Sequence, residues 1–453
     1  MRVKFNYWST NDHTLIDLLA NGLDDLKELD NQLYSLFCVE HKRQMNELMM
    51  VASCSIVPPA VLICQSMSAG NVTAEGYPGR RYHAGCENID AIENAAIERA
   101  KQVFHAQYAN VQPHSASSAN QIVLFSLLNP GDTILGMDLP SGGHLSHGAK
   151  ISYSGTCFNA VSYSLSEDFL IDYDQVESLA IKHRPKLIIC GTTAYPRQVD
   201  FKRFREIADK VGAYLLADIS HIAGLVIAGL HPSPIDYAHV ITTCTHKQIF
   251  GPRGGLILSG KDAGMLLHDK KKSLAEHIQR AVFPFFQGAP IPNMIAAKAM
   301  ALQLTQTENY KTTMYRILDN SRVLGAALMS LGFDIITGGT DTHIVLIDLT
   351  RNGISGNLAE RALEQCGIIV NKNNVPNRNS KSTISMGIRL GTNSLAQRGF
   401  GQIEMMCCAE IISKVIGNMT GDTWDTVAVN DSIRKNVREQ VGELCNRFPI
   451  FNY

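Results

Sequence analysis

Thr242-Thr243-Cys244-Thr245-His246-Lys247-Gln248-Ile249-Phe250-Gly251-Pro252-Arg253-Gly254-Gly255 is the stretch whose reading decides the fold. Its β-branched lead, Val240 to Thr243, predicts a buried strand, and Gly251, Pro252, Gly254 and Gly255 predict a tightly shaped loop behind it. Lys247 leaves the strand between the two. Burial and cationic neighbours, His246 among them, lower an amine's pKa until it is nucleophilic enough to form a Schiff base, for which a carbonyl cofactor is the natural partner. A surface lysine in a turn has the same local pattern, so the rest of the chain decides.

Working outward, strands are predicted over Thr133 to Met137, Leu187 to Cys190, Tyr214 to Ala217 and Leu256 to Leu258, with amphipathic segments such as Phe201 to Val211 between them. This alternation implies an open, mostly parallel sheet covered by helices, with ligands at the carboxyl ends of its strands. Those ends carry Asp138 to His144, Thr193 to Tyr195, Asp218 to His221 and Cys244 to Lys247. A carboxylate closing a buried strand, as Asp218 does, needs a cationic partner, and a protonated pyridine nitrogen would serve. Asp90 to Phe104 has helical spacing. After it, Ser115 and Ser117 lead into an apolar helix, where free N–H groups and the positive dipole end suit a phosphate; an ordinary serine N-cap looks similar. The Gly70 to Gly85 loop carries Asn71, Thr73, Glu75, Tyr77, Arg80, Arg81, Tyr82 and His83, a load that usually lines a site.

A chain of 453 residues implies two domains of unequal size, and a net charge of −1 offers no basic footprint for nucleic acid or anionic membrane. Eleven cysteines without a CxxC pair fit reduced thiols. No apolar run approaches the ~18 residues of a membrane span, and Arg2 and Lys4 are followed by no apolar core, so a cytoplasmic protein is expected. His13 to about Met50 reads as a helical arm, broken at Asn21-Gly22, that packs on another subunit or on its own body; Val57-Pro58-Pro59-Ala60 should stop helical structure. In the C-terminal part, His343 to Asp348 reads as a strand, and Ile403 to Ile416 and Ser432 to Phe448 as helices. No GxGxxG or Walker loop is present, and His144, His147, His221 and His246 lack the carboxylate or cysteine that would complete a metal site.

The set Ala74-Glu75-Gly76-Tyr77-Pro78-Gly79-Arg80-Arg81-Tyr82, Asn110-Val111-Gln112-Pro113-His114-Ser115, Gly142-Gly143-His144-Leu145, Asp218, His221, Thr245-His246-Lys247, Gly251-Pro252-Arg253-Gly254-Gly255 and Gly387-Ile388-Arg389-Leu390-Gly391-Thr392 closely resembles serine hydroxymethyltransferases, from about Asp25 to the end. The resemblance implies an α/β, fold-type-I pyridoxal-phosphate transferase. It would have a mostly parallel seven-stranded sheet with helices on both faces, a smaller C-terminal α/β domain, and a dimer, or dimer of dimers, whose sites borrow residues across the interface. The division expected is an arm over 1–57, a cofactor domain over 58–304 and a small domain over 305–453. Pyridoxal 5'-phosphate and tetrahydrofolate are the expected cofactor and co-substrate.

Carried over by resemblance, Lys247 is the Schiff-base lysine, Asp218 the partner of the pyridine nitrogen, and His144 the imidazole stacked on the ring. Ser115, Ala116 and Ser117 meet the phosphate with Gly288 of a neighbouring subunit, His246 adjoins the cofactor, and Thr193 and His221 lie near its phenolic oxygen. Arg389 and Ser53 hold the substrate carboxylate, Glu75 handles the hydroxymethyl proton, and Tyr82, Leu139, Gly143, Leu145 and Asn373 contact folate. The chain departs from the pattern at Thr73 and His83, where tyrosines crowd the substrate Cα. It departs also at Cys54 and Ser55, at Cys244, and at Phe285-Phe286 in place of a glycine pair. Changes clustered around Cα favour an α-substituted substrate, such as α-methylserine giving alanine, over serine giving glycine. The alternatives are a folate-independent threonine-type aldolase or transaldolase, and a non-catalytic cofactor-binding protein.

Overall fold

The computed structural model describes residues 14–267, 271–375 and 385–450; Arg2, Lys4 and His13, which enter the expectation for the N-terminus, lie outside them. Seven strands form the large sheet, in the spatial order Tyr108–Asn110, Gly255–Ser259, Val240–Cys244, Tyr214–Asp218, Leu187–Gly191, Thr133–Met137, Asn159–Tyr163. The five from Val240–Cys244 to Asn159–Tyr163 run parallel, and Gly255–Ser259 is antiparallel to both its neighbours. Every residue of Leu187–Gly191 and Val240–Cys244 is buried, as the unbroken apolar and β-branched runs require of strands covered on both faces. Alternation then builds two cores. Leu135, Ile188, Leu215 and Ile241 point to one face, and Ile134, Leu187, Ile189, Leu216 and Val240 to the other.

Phe201–Val211 shows how the helices attach. Phe201, Phe204, Ile207 and Ala208 form its buried stripe, the Asp200 carboxylate accepts from the Arg203 N–H at 2.9 Å, and Gly212 ends it at φ 70°. The C-terminal α/β domain is built on a four-stranded antiparallel sheet ordered Asp334–Ile335, Ile344–Asp348, Gly387–Gly391, Asn371–Asn373, with Gln402–Ile416 and Asp431–Arg447 among its helices. Leu48–Met49 pairs in parallel with Ile368–Ile369, which buries Leu48 and Met50 in that domain's core.

Two expectations fail near the N-terminus. Thr14–Leu29 continues through Asn21-Gly22, because an exposed helical glycine costs only about 1 kcal/mol; the break falls at Asp30, whose carboxylate caps the next helix, Asn31–Asn46. Pro59 begins the helix Pro59–Ser66 rather than ending one, since a proline in the first turn loses no intrahelical bond. Among the described residues no helix is long and apolar enough to cross a membrane.

Candidate active site

The parallel strands deliver their carboxyl ends to one edge of the sheet. Asp218 closes the strand Tyr214–Asp218 and is buried. Its Oδ2 lies 3.0 Å from His147 Nε2 and accepts from Asn120 Nδ2 at 2.8 Å, while Oδ1 accepts from the Ser220 hydroxyl at 2.5 Å and the Ser220 N–H at 3.0 Å. Burial raises this carboxyl's pKa, but His147, Ser220 and Asn120 outweigh it and hold the group below the usual carboxylate range. The anion is thus fixed before any ligand arrives. Ser220 lies in the Asp218 to His221 segment that the sequence places at the shared edge, whereas His147 is read there only as a metal ligand and nothing in the local pattern ties Asn120 to a strand end.

His144 precedes the short turn Leu145–His147 and accepts from the Ser146 N–H through Nδ1 at 3.2 Å, with Ser146 Oγ 2.7 Å from the same nitrogen. Burial, with His147 and Lys247 nearby, lowers its pKa to about 4, so it is neutral, with its proton on Nε2. Lys247 Nζ makes no hydrogen bond or ion pair among the described residues, and burial lowers its pKa, with Arg389 and Arg253 adding to the effect. His246 does not act as the expected cationic neighbour. Burial and the Arg253 and Lys247 charges push its own pKa down to about 4, leaving it uncharged at neutral pH.

The loop behind Lys247 is shaped by close approach. A Cβ on Gly254 would stand 2.3 Å from Lys298 Cε, and one on Gly255 would stand 2.3 Å from the Ser115 carbonyl oxygen. Lys298 itself is buried and donates to the carbonyls of Val111, Pro113 and Gly255 at 2.6, 3.0 and 3.0 Å, tying this loop to the segment entering Ser115. Burial lowers its pKa to about 7. No local pattern in the sequence marks it. Ser115 caps Ala116–Leu127, its Oγ accepting from the Ser118 N–H at 3.0 Å, which leaves the N–H groups of Ala116 and Ser117 as the open donors of the first turn. The helix begins one residue before Ser117, which therefore lies inside it.

Arg389 comes from the C-terminal sheet. It is only 8% exposed, has no carboxylate partner among the described residues, and donates to the Thr193 carbonyl at 2.7 Å and to Asn371 Oδ1 at 3.1 Å. Burial lowers its pKa to about 10, so it remains charged. Ala52 packs so closely on Gly391 that a Cβ there would stand 2.3 Å away, which places Ser53 beside the same strand. His221 Nδ1 lies 3.4 Å from His343 Nε2, and its own Nε2 is buried without a partner among the described residues.

The Gly70 to Gly85 loop is different. Arg81 is consumed by structure, bound to Asp90 and Glu93 at 2.7 Å each and almost fully buried, so it lines no site. Glu75, in contrast, is 38% exposed at the side chain and lies 3.3 Å from His83 Nε2. Tyr82 is exposed against Phe283, Thr73 is exposed, and a Cβ on Gly288 would stand 3.4 Å from Glu75 Oε1 of the same chain. Among the described residues no hydrogen bond or ion pair runs directly from Glu75, Tyr82 or His83 to Asp218, Lys247 or Arg389. Leu139 and Leu145, on either side of Gly143 in sequence, are exposed, and the Gly143 N–H donates to the Asp138 carbonyl at 2.8 Å; Asn373 pairs with Gly387 at the edge of the small sheet. No group of three or more His, Cys, Asp or Glu residues suited to a metal occurs among the described residues.

This donor set fits pyridoxal phosphate: an unpaired buried amine, a buried carboxylate held anionic, a helix start with open N–H groups, and a buried histidine nitrogen awaiting a partner. The family model for serine hydroxymethyltransferase matches residues 26–412. The chain is 46% identical over 440 residues to the serine hydroxymethyltransferase of Wolbachia sp. subsp. Drosophila simulans (strain wRi), covering 97% of this chain and 100% of that protein. It is 46% identical over 430 residues to that of Rickettsia akari (strain Hartford), covering 95% and 99%. With that match spanning both the buried cluster and the exposed loop, the chain belongs to the serine hydroxymethyltransferase family, pyridoxal-phosphate-dependent enzymes that transfer a one-carbon unit between an amino acid and tetrahydrofolate.

Proposed function

We propose that within this chemistry the chain acts on an α-substituted β-hydroxy amino acid, α-methylserine in preference to serine, giving alanine and a one-carbon unit passed to tetrahydrofolate. One observation carries the preference. Position 73 holds an exposed threonine two residues from Glu75, whose side chain is paired with His83 rather than with a phenol. A methyl group on Cα needs the space that a tyrosine ring at 73 would fill.

Lys247 would hold the cofactor through its carbonyl carbon, Asp218 its ring nitrogen, and Ser115, with the N–H groups of Ala116 and Ser117, its phosphate. His144 would lie against its ring, and Thr193 and His221 near its phenolic oxygen. When bound, pyridoxal phosphate supplies an electron sink that lets the Cα–Cβ bond break. Arg389, beside Ser53, orients the substrate carboxylate with a fork that has no carboxylate partner among the described residues. Glu75 takes or returns the proton of the hydroxymethyl oxygen, a role that needs a carboxylate reachable by substrate and folate alike. Leu139, Leu145, Gly143, Tyr82 and Asn373 form the rim on which folate would lie.

Because Glu75, His83 and Gly288 cluster on an exposed surface, we assign them to the site of a neighbouring subunit, in a dimer or dimer of dimers. The exposed Leu15, Leu18, Leu33, Leu36 and Phe37 of the first two helices supply apolar surface for such an interface. Incubating the purified protein with serine, α-methylserine and threonine, with and without tetrahydrofolate, tests the reading. Alanine formed from α-methylserine only when folate is present supports it. Threonine cleavage without folate as the dominant activity would instead favour an aldolase.

A further inference from the structure

The mechanism above makes no use of His343, a fully buried histidine at the start of the strand Ile344–Asp348. Its Nε2 lies 3.1 Å from the Ala52 carbonyl oxygen and 3.4 Å from His221 Nδ1, with the two rings 15° from parallel. A carbonyl oxygen only accepts, so the proton of the Ala52 contact belongs to His343 Nε2. The same N–H faces His221 Nδ1, and a proton there as well would set two donors head to head. His221 Nδ1 is therefore the acceptor. Burial beside Lys247 and Arg389 keeps both imidazoles neutral, and a neutral ring accepting at Nδ1 carries its proton at Nε2. That nitrogen is buried and finds no acceptor among the described residues. A buried N–H left unmet is costly, so the ligand has to meet it.

We propose that His343 is a positioning residue that fixes the tautomer of His221, holding His221 Nε2–H as a donor toward an anionic oxygen, either the phenolic oxygen of the cofactor or a carboxylate oxygen of the substrate. The choice of ligand rests on the cofactor site assigned above; the tautomer does not. Ala52, three residues after the strand Leu48–Met49 and adjoining Ser53, sets the proton at one end of the relay, and the ligand receives a hydrogen bond at the other.

The test is two-bond ¹H–¹⁵N correlation spectroscopy on the full-length, ¹⁵N-histidine-labelled protein, with the His221 signals assigned through His221→Asn. Before cofactor is added, His221 should show the Nε2–H tautomer alone. His343→Phe, which keeps an aromatic ring but removes the donor, should give a mixture of tautomers and weaken binding by about tenfold, the scale of one hydrogen bond in a buried site. His343→Gln, which keeps an N–H donor, should restore both. Titrating pyridoxal phosphate into the cofactor-free protein, then amino acid into the loaded one, shows which oxygen the donor serves, since only that affinity should fall. A wild-type His221 protonated on Nδ1, or a His343→Phe protein with unchanged tautomer, overturns the proposal; if that variant does not fold, the wild-type spectrum still decides. A protein that shows the Nε2–H tautomer yet binds no pyridoxal phosphate would refute the cofactor assignment instead.

Discussion

On the proposed reading the buried cluster around Asp218 and the exposed loop around Glu75 serve one reaction, but they obey different physics. Asp218, Arg389, His221 and His343 are charged or polar groups taken out of water, and each is held by hydrogen bonds within the chain, with His221 Nε2 and His343 Nδ1 buried without a partner among the described residues. That cost ties their positions to the fold. Thr73, Glu75, Tyr82 and His83 carry exposed or half-exposed side chains on a loop whose backbone Arg81 and Gln112 hold at Ala74 and Gly76. Substitution there costs the fold almost nothing. The departures at Thr73 and His83 both fall on this side, so on the proposed reading the buried cluster carries the chemistry and the loop the choice of substrate.

The largest effect should come from the buried side. Lys247→Ala should abolish turnover, and borohydride reduction followed by mass spectrometry should find pyridoxal phosphate on a Lys247 peptide in the wild type only. Full activity in the variant would break the comparison at its root.

The two regions should meet across an interface between subunits. Glu75→Gln alone should lower folate-dependent turnover by roughly 10²–10⁴-fold, the range for losing a proton-transfer group. Mixed with Lys247→Ala subunits, it should recover about a quarter of wild-type activity, because half of randomly paired dimers are hybrids and each hybrid has one intact site. No recovery, or a fully active monomer by sedimentation, would place both regions in one chain's own site.

Acid should strike the buried side. His144 and His343 are held neutral in the fold, with pKa values lowered to about 4 and about 3, whereas in the unfolded chain they take up protons near pH 6.5. The unfolded state therefore binds more protons as pH falls below that value, and stability drops with it; above it neither histidine contributes. Each should remove about 1.4 kcal/mol per pH unit until its folded pKa is reached. The Asp218 carboxylate, depressed in the fold, adds stability above its unfolded value near 4 that is lost as pH falls further. Urea midpoints between pH 7 and 5 check this, and a flat profile would mean that the histidines are not held neutral.

Much of this was legible in sequence, for physical reasons. Unbroken apolar runs such as Leu187-Ile188-Ile189-Cys190 mark covered parallel strands, and polar residues straight after them mark a shared edge. The outer strands Tyr108–Asn110 and Asn159–Tyr163 are short or half exposed and lacked that contrast. Asn120, His147, Lys298 and His343 were illegible because their roles depend on partners far away in the chain, up to 291 residues for His343 and Ala52. A local pattern records what a residue is beside in sequence, not what it meets in space.

The smallest effect is the one that would sharpen the comparison most, because it changes the substrate without touching the chemistry. Tyrosine carries several more heavy atoms than threonine, and a methyl group wedged against a phenol costs on the order of 1–3 kcal/mol, roughly a 10–200-fold preference. Thr73→Tyr, ideally with His83→Tyr, should therefore lower kcat/KM for α-methylserine relative to serine by that factor. His83→Tyr alone removes the imidazole 3.3 Å from Glu75 and should slow both substrates alike, since what it disturbs is the carboxylate that both use. Position 73 discriminates while position 83 does not. Measuring both ratios in wild type and variants decides it: a ratio unchanged by Thr73→Tyr, or a wild type already strongly preferring serine, would mean that the loop drifted without widening the pocket.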